Sequence, residues 1–290
     1  MVPGDVYCVI PTFTPESTLL DLAAGLSSQC PVLVVDDASP CTSDGPLRRV
    51  GALPGVDVIK HTTNAGIGRG LNDGLTVARD AGCTWLLTVD QDTDVPVGYV
   101  TTLIEAARRL SACEVPLGAL GAGSVNIAGA SMRYPGHALD CQGMNVASTE
   151  EIVQSGTLWN VDAIIAFGGF NEALGMDAVD AHACLRLREA GLVVATVANL
   201  EINHRIGSAQ PVTITGRNPV FLTGHSPERR TSMIRNRLAL FPSEFRQSPR
   251  HAFRTLRRVL VNQAGGLIVE TDKWSKARGS LRGLIPSRKR

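Results

Sequence analysis

The chain has 290 residues, 44% of them apolar and 4% aromatic, with a formal net charge of +1. That length suits one large α/β domain or a domain with an appendage, and no segment reaches the eighteen or so consecutive apolar residues of a membrane span. The apolar run over residues 7–10 is too short for a secretory signal and is closed by Pro11.

The elements follow in order. Residues 6–10 read as a buried strand closed by Pro11-Thr12-Phe13-Thr14-Pro15, and residues 17–26 have helical spacing. A second strand over 32–35 ends in Asp36-Asp37-Ala38-Ser39-Pro40, where the two acids also suit a turn cap with Ser39. A third, over 56–61, runs into Asn64-Ala65-Gly66-Ile67-Gly68-Arg69-Gly70. A helix over 71–81 stops at Gly82. The fourth strand, 85–89, ends in Asp90-Gln91-Asp92-Thr93-Asp94. This β-α-β-α-β-α-β order implies an α/β fold with a doubly wound, mostly parallel sheet and right-handed crossovers. Its loops near 11–14, 36–39, 64–70 and 90–94 then gather on one rim, where open α/β sheets bind ligands.

Those loops carry chemistry. On an extended backbone Asp90 and Asp92 point to the same side, where they repel unless a divalent cation or a cationic group lies between them. A lone D-x-D also fits an Asp-rich turn capped by Asp94 ahead of Pro96. The glycine loop does not fit G-x-G-x-x-G and no acid follows at the dinucleotide spacing, so an NAD site is disfavoured; there is no Walker-type P-loop either. The glycines suit a tight strand-to-helix turn or close approach of backbone to a phosphate or sugar, with Arg69 as a cation.

The second half is less regular. Residues 118–143 read as loop-rich, and residues 155–159 return toward the rim. A helix within 174–190 has Asp177 and Asp180 near its start, where carboxylates also serve as caps. His204 follows a strand over 192–200. Residues 225–290 hold sixteen Arg and Lys against four acids, a net of +12, which leaves −11 for residues 1–224. The expected layout is a catalytic domain over 1–224 and a basic, partly helical extension over 225–290. In that extension residues 245–260 read as a helix with Phe253, Leu256, Val259 and Leu260 near one face and five arginines around them. It suits either an anionic leaflet or ordinary docking on the body. Arg288-Lys289-Arg290 reads as a disordered tip. Seven scattered cysteines without a C-x-x-C pair fit a reducing cytoplasm better than a disulfide framework or zinc site.

Taken in order, several motifs resemble the family 2 glycosyltransferases. They are Val35-Asp36-Asp37-Ala38-Ser39, Asn64-x-Gly-x-Gly-x-x-x-Asn72-x-Gly74, Asp90-Gln91-Asp92-Thr93, Gln154-Ser155-Gly156-Thr157-Leu158, Gly168-Gly169-Phe170-Asn171-Glu172, Asp177 through Arg186, and His204-Arg205-Ile206-Gly207. The D-Q-D-T and Q-S-G-T forms are most similar to the bacterial rhamnosyltransferase branch. The resemblance implies a GT-A-type catalytic domain that inverts the anomeric carbon by single displacement. It assigns Pro11, Thr12, Phe13 and Asp37 to base and ribose, and Asn64, Gly68, Arg69, Asn72, Asp90 and Gln91 to the rest of the nucleotide sugar. Asp90, Asp92 and His204 would hold Mg²⁺ or Mn²⁺, Asp180 would be the base, and Ser155, Gly156, Asp177 and His182 would face the acceptor. The implied donor is dTDP-rhamnose, with galactofuranosyl or other transfer from a UDP-sugar as the alternative. The implied acceptor is a saccharide or lipid-linked glycan, met at the inner face of the plasma membrane. No nucleic acid is expected as a partner, and a homo-oligomer fits. Two departures stand out: His182 replaces the acid usual in the branch, and the R-x-Y-Y-x-x-R-N signature around Arg229-Arg230 and Arg235-Asn236-Arg237 lacks both tyrosines. They keep an inactive nucleotide-sugar-binding module open as an alternative. A nucleotidyltransferase would instead want a basic, glycine-rich loop after the first strand, which Pro11–Pro15 does not offer.

Overall fold

A computed structural model describes residues 5–141, 143–205, 210–212, 220–222, 224–269 and 272–285. Its elements run β1 (Val6–Thr12), α1 (Thr18–Ser27), β2 (Val32–Asp36), α2 (Asp44–Gly51), β3 (Val56–Lys60), α3 (Ile67–Asp80), β4 (Trp85–Thr88) and β5 (Thr93–Asp94). There follow α4 (Tyr99–Ala112), β6 (Leu117–Ile127), β7 (Ala130–Arg133), β8 (Gly136–Ala138), β9 (Val146–Thr149), β10 (Thr157–Asn160), α5 (Val161–Ala166), α6 (Val179–Glu189) and β11 (Val193–His204). The chain ends with β12 (Gln210–Val212), β13 (Val220–Leu222), α7 (Pro227–Gln247), α8 (Pro249–Val269) and α9 (Lys273–Gly283). Two compact units result, one of residues 1–126 and 132–204, the other of residues 127–131 and 205–290.

In the first unit the main sheet has the order β3-β2-β1-β4-β10-β6-β11-β9-β8. The β3-β2-β1-β4 half is parallel throughout. β10 enters antiparallel between β4 and β6, and β6 pairs parallel with β11. Strand order reverses between β1 and β4, so their carboxyl ends, at Thr12 and Asp90, flank the crevice where such sheets take ligands. Near-continuous apolar runs suit strands buried on both faces. Alternate residues Tyr7, Val9, Leu33, Val35 and Leu86 share one core with Leu71 and Leu75 of α3, Ile164 of α5 and Leu187 of α6. The intervening Cys8, Ile10, Val34 and Leu87 are buried on the opposite face.

Several expectations need correction. α3 begins at Ile67, so Gly68, Arg69 and Gly70 belong to its first turn and not to a loop. Residues 118–143 are not mainly loop, since β6 is an eleven-residue strand and β7 and β8 follow it. His204 is the last residue of its strand. The helix expected over 245–260 is interrupted: Ser248 has φ −150° and ψ 92°, between α7 and α8. The cause is Pro249, whose ring excludes the α conformation from the residue before it. Cys113 and Cys141, 28 positions apart in sequence, form a disulfide with Cα atoms 5.9 Å apart. The lack of a cysteine pattern in the sequence therefore did not exclude a disulfide, and the argument it gave for a reducing compartment lapses. Arg288-Lys289-Arg290, and Ile206 and Gly207 of the last motif, lie outside the described residues.

The second unit is built on α7, α8 and α9. Ser226 caps α7 by accepting from Arg229 N, and Pro227 takes the first helical position, where no N–H is needed. Within α7 Arg237 and Glu244 form a buried ion pair at 2.6 Å. Arg230 donates to the Gln263 carbonyl at 3.1 Å. No helix among the described residues is long and apolar enough to cross a membrane.

Candidate active site

The first wall of the crevice is the end of β1 with the segments after β2 and β3. Asp36 is fully buried and accepts from Ser39 N and Ser39 Oγ, a local turn cap out of contact with solvent. Asp37 accepts from Ala65 N and Gly66 N, both at 2.8 Å, while Asn64 Nδ2 donates to the Asp37 carbonyl. His61, which the sequence left unassigned, lies between Asp37 at 3.1 Å and Asp73 at 2.6 Å. Burial alone would lower its pKa, but the hydrogen bonds to Asp73 and Asp37 outweigh this and raise it. Asp37 thus fixes the 64–66 turn, and His61, bridging Asp37 and Asp73, ties that turn to α3. The close approach of the glycines is to protein: a Cβ on Gly68 would meet Glu172 Cα at 3.0 Å, and one on Gly66 the Gly175 carbonyl at 3.0 Å. Arg69 is exposed, as is the Phe13 ring, at 43%. Pro11 is half-buried and Thr12 buried.

The second wall is the turn after β4. Gln91 joins it to the first wall: its Nε2 donates to Phe13 O at 3.0 Å, and its Oε1 accepts from Phe13 N at 3.2 Å and from Thr12 Oγ1. β5 then pairs antiparallel with the end of β11, setting Thr93 opposite His204. This pairing, and not one extended strand, brings Asp90, Asp92 and His204 together, with one ligand atom from each lying within 4.8 Å of the others. His204 Nε2 is 3.7 Å from Asp90 Oδ2, and its Nδ1 is 3.5 Å from Asp92 Oδ1.

A buried network holds this cluster from behind. Asp90 N donates to Ser155 Oγ at 2.8 Å, Ser155 Oγ meets Thr93 Oγ1 at 2.7 Å, and Thr93 Oγ1 meets His204 Nδ1 at 2.7 Å. Gln154 Nε2 donates to Asp90 Oδ1. Ser155 is 2% exposed and supports the carboxylate turn through these bonds. Gly156 is likewise buried, at φ +75°, with its carbonyl accepting from Tyr99 and a Cβ there meeting the Tyr99 hydroxyl at 2.8 Å. Thr93 was missed as a working residue, although it stands in the D-Q-D-T motif.

The third group lies around α6. Ala178, at φ +68°, leads into the helix, and Asp180 sits half-buried in its first turn with Oδ1 accepting from Ala181 N at 2.7 Å. Burial, with the charge of Asp180 among lesser causes, raises the pKa of Tyr134, whose hydroxyl accepts from Val153 N. Asp180 therefore lies near Tyr134, which meets the segment between β9 and β10 that carries Gln154. Asp177 is half-buried just ahead of the helix. His182 is half-buried, its pKa lowered by burial and then by Arg186, so the residue at the branch's acid position is a neutral imidazole at pH 7. Asn72 holds a turn: it donates to Phe170 O and Glu172 Oε1 and accepts from Phe170 N.

Comparison with known proteins fits this geometry. Residues 7–117, from β1 through the carboxylate turn to the start of β6, match the model of glycosyl transferase family 2. Over that stretch the chain resembles family 2 glycosyltransferases. It is similar to the dTDP-rhamnosyl transferase RfbF of Shigella flexneri, with 27% identity over 253 residues, 82% of this chain and 80% of that protein. In fold it is similar to a mannosyltransferase from Pyrobaculum calidifontis in complex with GDP-Man and Mn²⁺, at TM-score 0.57 and 15% identity, covering 92% of this chain and 76% of that one. It is also similar to S. aureus TarS 1–349 in complex with UDP-GlcNAc, at TM-score 0.55 and 15% identity, covering 97% and 79%. The chain thus has the GT-A fold.

Proposed function

We propose that this glycosyltransferase moves rhamnose from dTDP-rhamnose to a hydroxyl of a cell-surface or lipid-linked glycan, with inversion and with a divalent cation. The observation that carries this reading is the convergence of Asp90, Asp92 and His204 at the topological switch point. Two hard carboxylates and an imidazole suit Mn²⁺ or Mg²⁺, the nitrogen favouring Mn²⁺. Thr93 at Nδ1 leaves Nε2 as the ligating nitrogen of His204. When bound, the cation offsets charge gathering on the departing nucleoside diphosphate.

The remaining work falls to the side chains. The exposed Phe13 ring covers the base, and the turn fixed by Asp37, Asn64 and His61 frames the ribose, with Arg69 beside it as a cation. Gln91 keeps the base wall and the carboxylate wall at a constant spacing. Asp180 takes the proton of the acceptor hydroxyl as its oxygen bonds to the anomeric carbon and the carbon–phosphate-oxygen bond breaks, a role worth about 10²–10⁴-fold in rate. Asp177 and the neutral His182 flank that base on the acceptor side. The exposed face of α8 carries Phe253, Leu260, Arg250, Arg254, Arg257 and Arg258 and suits contact with an anionic leaflet. Liposome co-sedimentation that ignores loss of those arginines would end that part of the reading.

The decisive test is incubation with dTDP-rhamnose, UDP-galactofuranose and UDP-GlcNAc in the presence of Mn²⁺ and candidate glycan acceptors, read by mass spectrometry. A deoxyhexose increment from the first donor alone supports the reading. A hexose increment would move the donor to UDP-sugars, and no product with any donor would leave a binding module.

A further inference from the structure

The C-terminal unit contains a groove that glycosyl transfer does not use. Its volume is about 440 Å³, and Glu228, Thr231, Ser232, Arg235, Arg282 and Ile285 line it. Two helices meet closely beside it: a Cβ on Gly283 of α9 would lie 2.8 Å from Ile234 Cβ and from the Thr231 carbonyl of α7. The hydroxyls on its wall are turned to backbone, Thr231 Oγ1 lying 2.8 Å from Gly279 O and Ser232 Oγ donating to Glu228 O at 3.3 Å. When the R-x-Y-Y-x-x-R-N signature is laid on Arg229 and Arg235-Asn236, its two tyrosines fall on Thr231 and Ser232. Small side chains thus stand where the signature has two rings, and the space is the groove.

Arg235 is half-buried on this wall, and its Nε is buried without an acceptor among the described residues. A buried, unanswered donor on a permanent cation calls for an anionic partner. Glu228 does not fill that place. Its carboxyl is held below the usual range by its own backbone N–H and by Ser226, then by the charge of Arg282, so it stays ionised opposite Arg282. The amino end of α7, a twenty-one-residue helix, opens at Pro227 on the same groove and adds positive potential. Leu281, Leu284 and Ile285 at the end of α9 are 64%, 50% and 64% exposed, an apolar border to a charged hollow.

We propose that this groove binds a phosphate oxyanion, held by the Arg235 guanidinium and closed on the far side by Arg282. A free phosphate and the headgroup of a phospholipid or prenyl phosphate share that chemistry, and the apolar border favours an amphiphile. The site lies wholly in the C-terminal unit and stands independently of the donor and metal assignments.

Calorimetry on the full chain tests it, using Asp92→Ala protein in EDTA so that the cation site is silent. The probes are inorganic phosphate and dihexanoyl phosphatidic acid below its micelle concentration. Saturable binding is expected, weakened tenfold or more by Arg235→Gln and by the exposed change Arg282→Gln, and lost when Ser232→Tyr fills the groove. Tenfold tighter binding of the lipid identifies a headgroup site, and equal binding a phosphate site. No binding of either probe, or binding unchanged in Arg282→Gln and Ser232→Tyr proteins of native melting temperature, overturns the proposal.

Discussion

Thr93→Val tests how the cluster is held. Thr93 has no solvent exposure, and its hydroxyl makes two contacts of 2.7 Å, to Ser155 and to His204. Valine keeps the shape and removes both. Two buried hydrogen bonds contribute about 1 kcal/mol each, and stranding their former partners adds about 1–2 kcal/mol, so stability should fall by about 3–4 kcal/mol. At about 2–4 °C per kcal/mol for a unit of this size, the melting temperature drops by roughly 6–16 °C. The sharper signature is in binding. His204 loses the bond that selects its ring orientation, a loss that typically weakens metal binding by about 10–100-fold. Thermal melts give the first quantity and Mn²⁺ titration in the presence of dTDP the second, with Thr93→Ser restoring both. A Thr93→Val protein of native stability and native Mn²⁺ affinity would refute the network.

Other outcomes follow from the same geometry. Asp180→Asn should retain dTDP affinity and lose about 10²–10⁴-fold in turnover, measured by single-turnover product formation; undiminished turnover removes Asp180 as the base. His61 has a folded pKa raised above its unfolded value of about 6.5, so its clamp stabilises fully below that pH and fades as pH rises through the folded pKa. Urea melts from pH 6 to 9 should show this decline in the wild type and a flatter profile in His61→Gln. Gly74→Ala should cost about 1–3 kcal/mol by overpacking, because a Cβ there would lie 2.5 Å from Val9 Cβ; an unchanged chemical melt would contradict that close contact.

The parallel half of the sheet was readable because β1 to β4 are apolar runs that stop at polar loops, and the crossover rule then set those loops on one rim. The pairing of Asp90 and Asp92 with His204 was readable only by family resemblance, since the bridge of β5 to β11 leaves a two-residue trace in sequence. β6 was hidden by its glycines. A Cβ on Gly121 would meet Thr157 Oγ1 at 2.8 Å and one on Gly123 would meet Ala198 Cα at 2.5 Å, so they permit tight packing of a buried strand and do not mark a loop. Ser155 looked like a contact residue because of its motif; its bonds behind the carboxylate turn are visible only in the structure. The break before Pro249 was legible from the proline rule, yet the apolar period of the flanking residues obscured it. Cys113 and Cys141 offered no local pattern at all.

The account stands or falls on the carboxylate–histidine cluster. Calorimetric titration of Mn²⁺ with dTDP should give metal-linked nucleotide binding in the wild type and none in Asp92→Ala protein of native melting temperature. Equal, Mn²⁺-dependent binding in both proteins would contradict it.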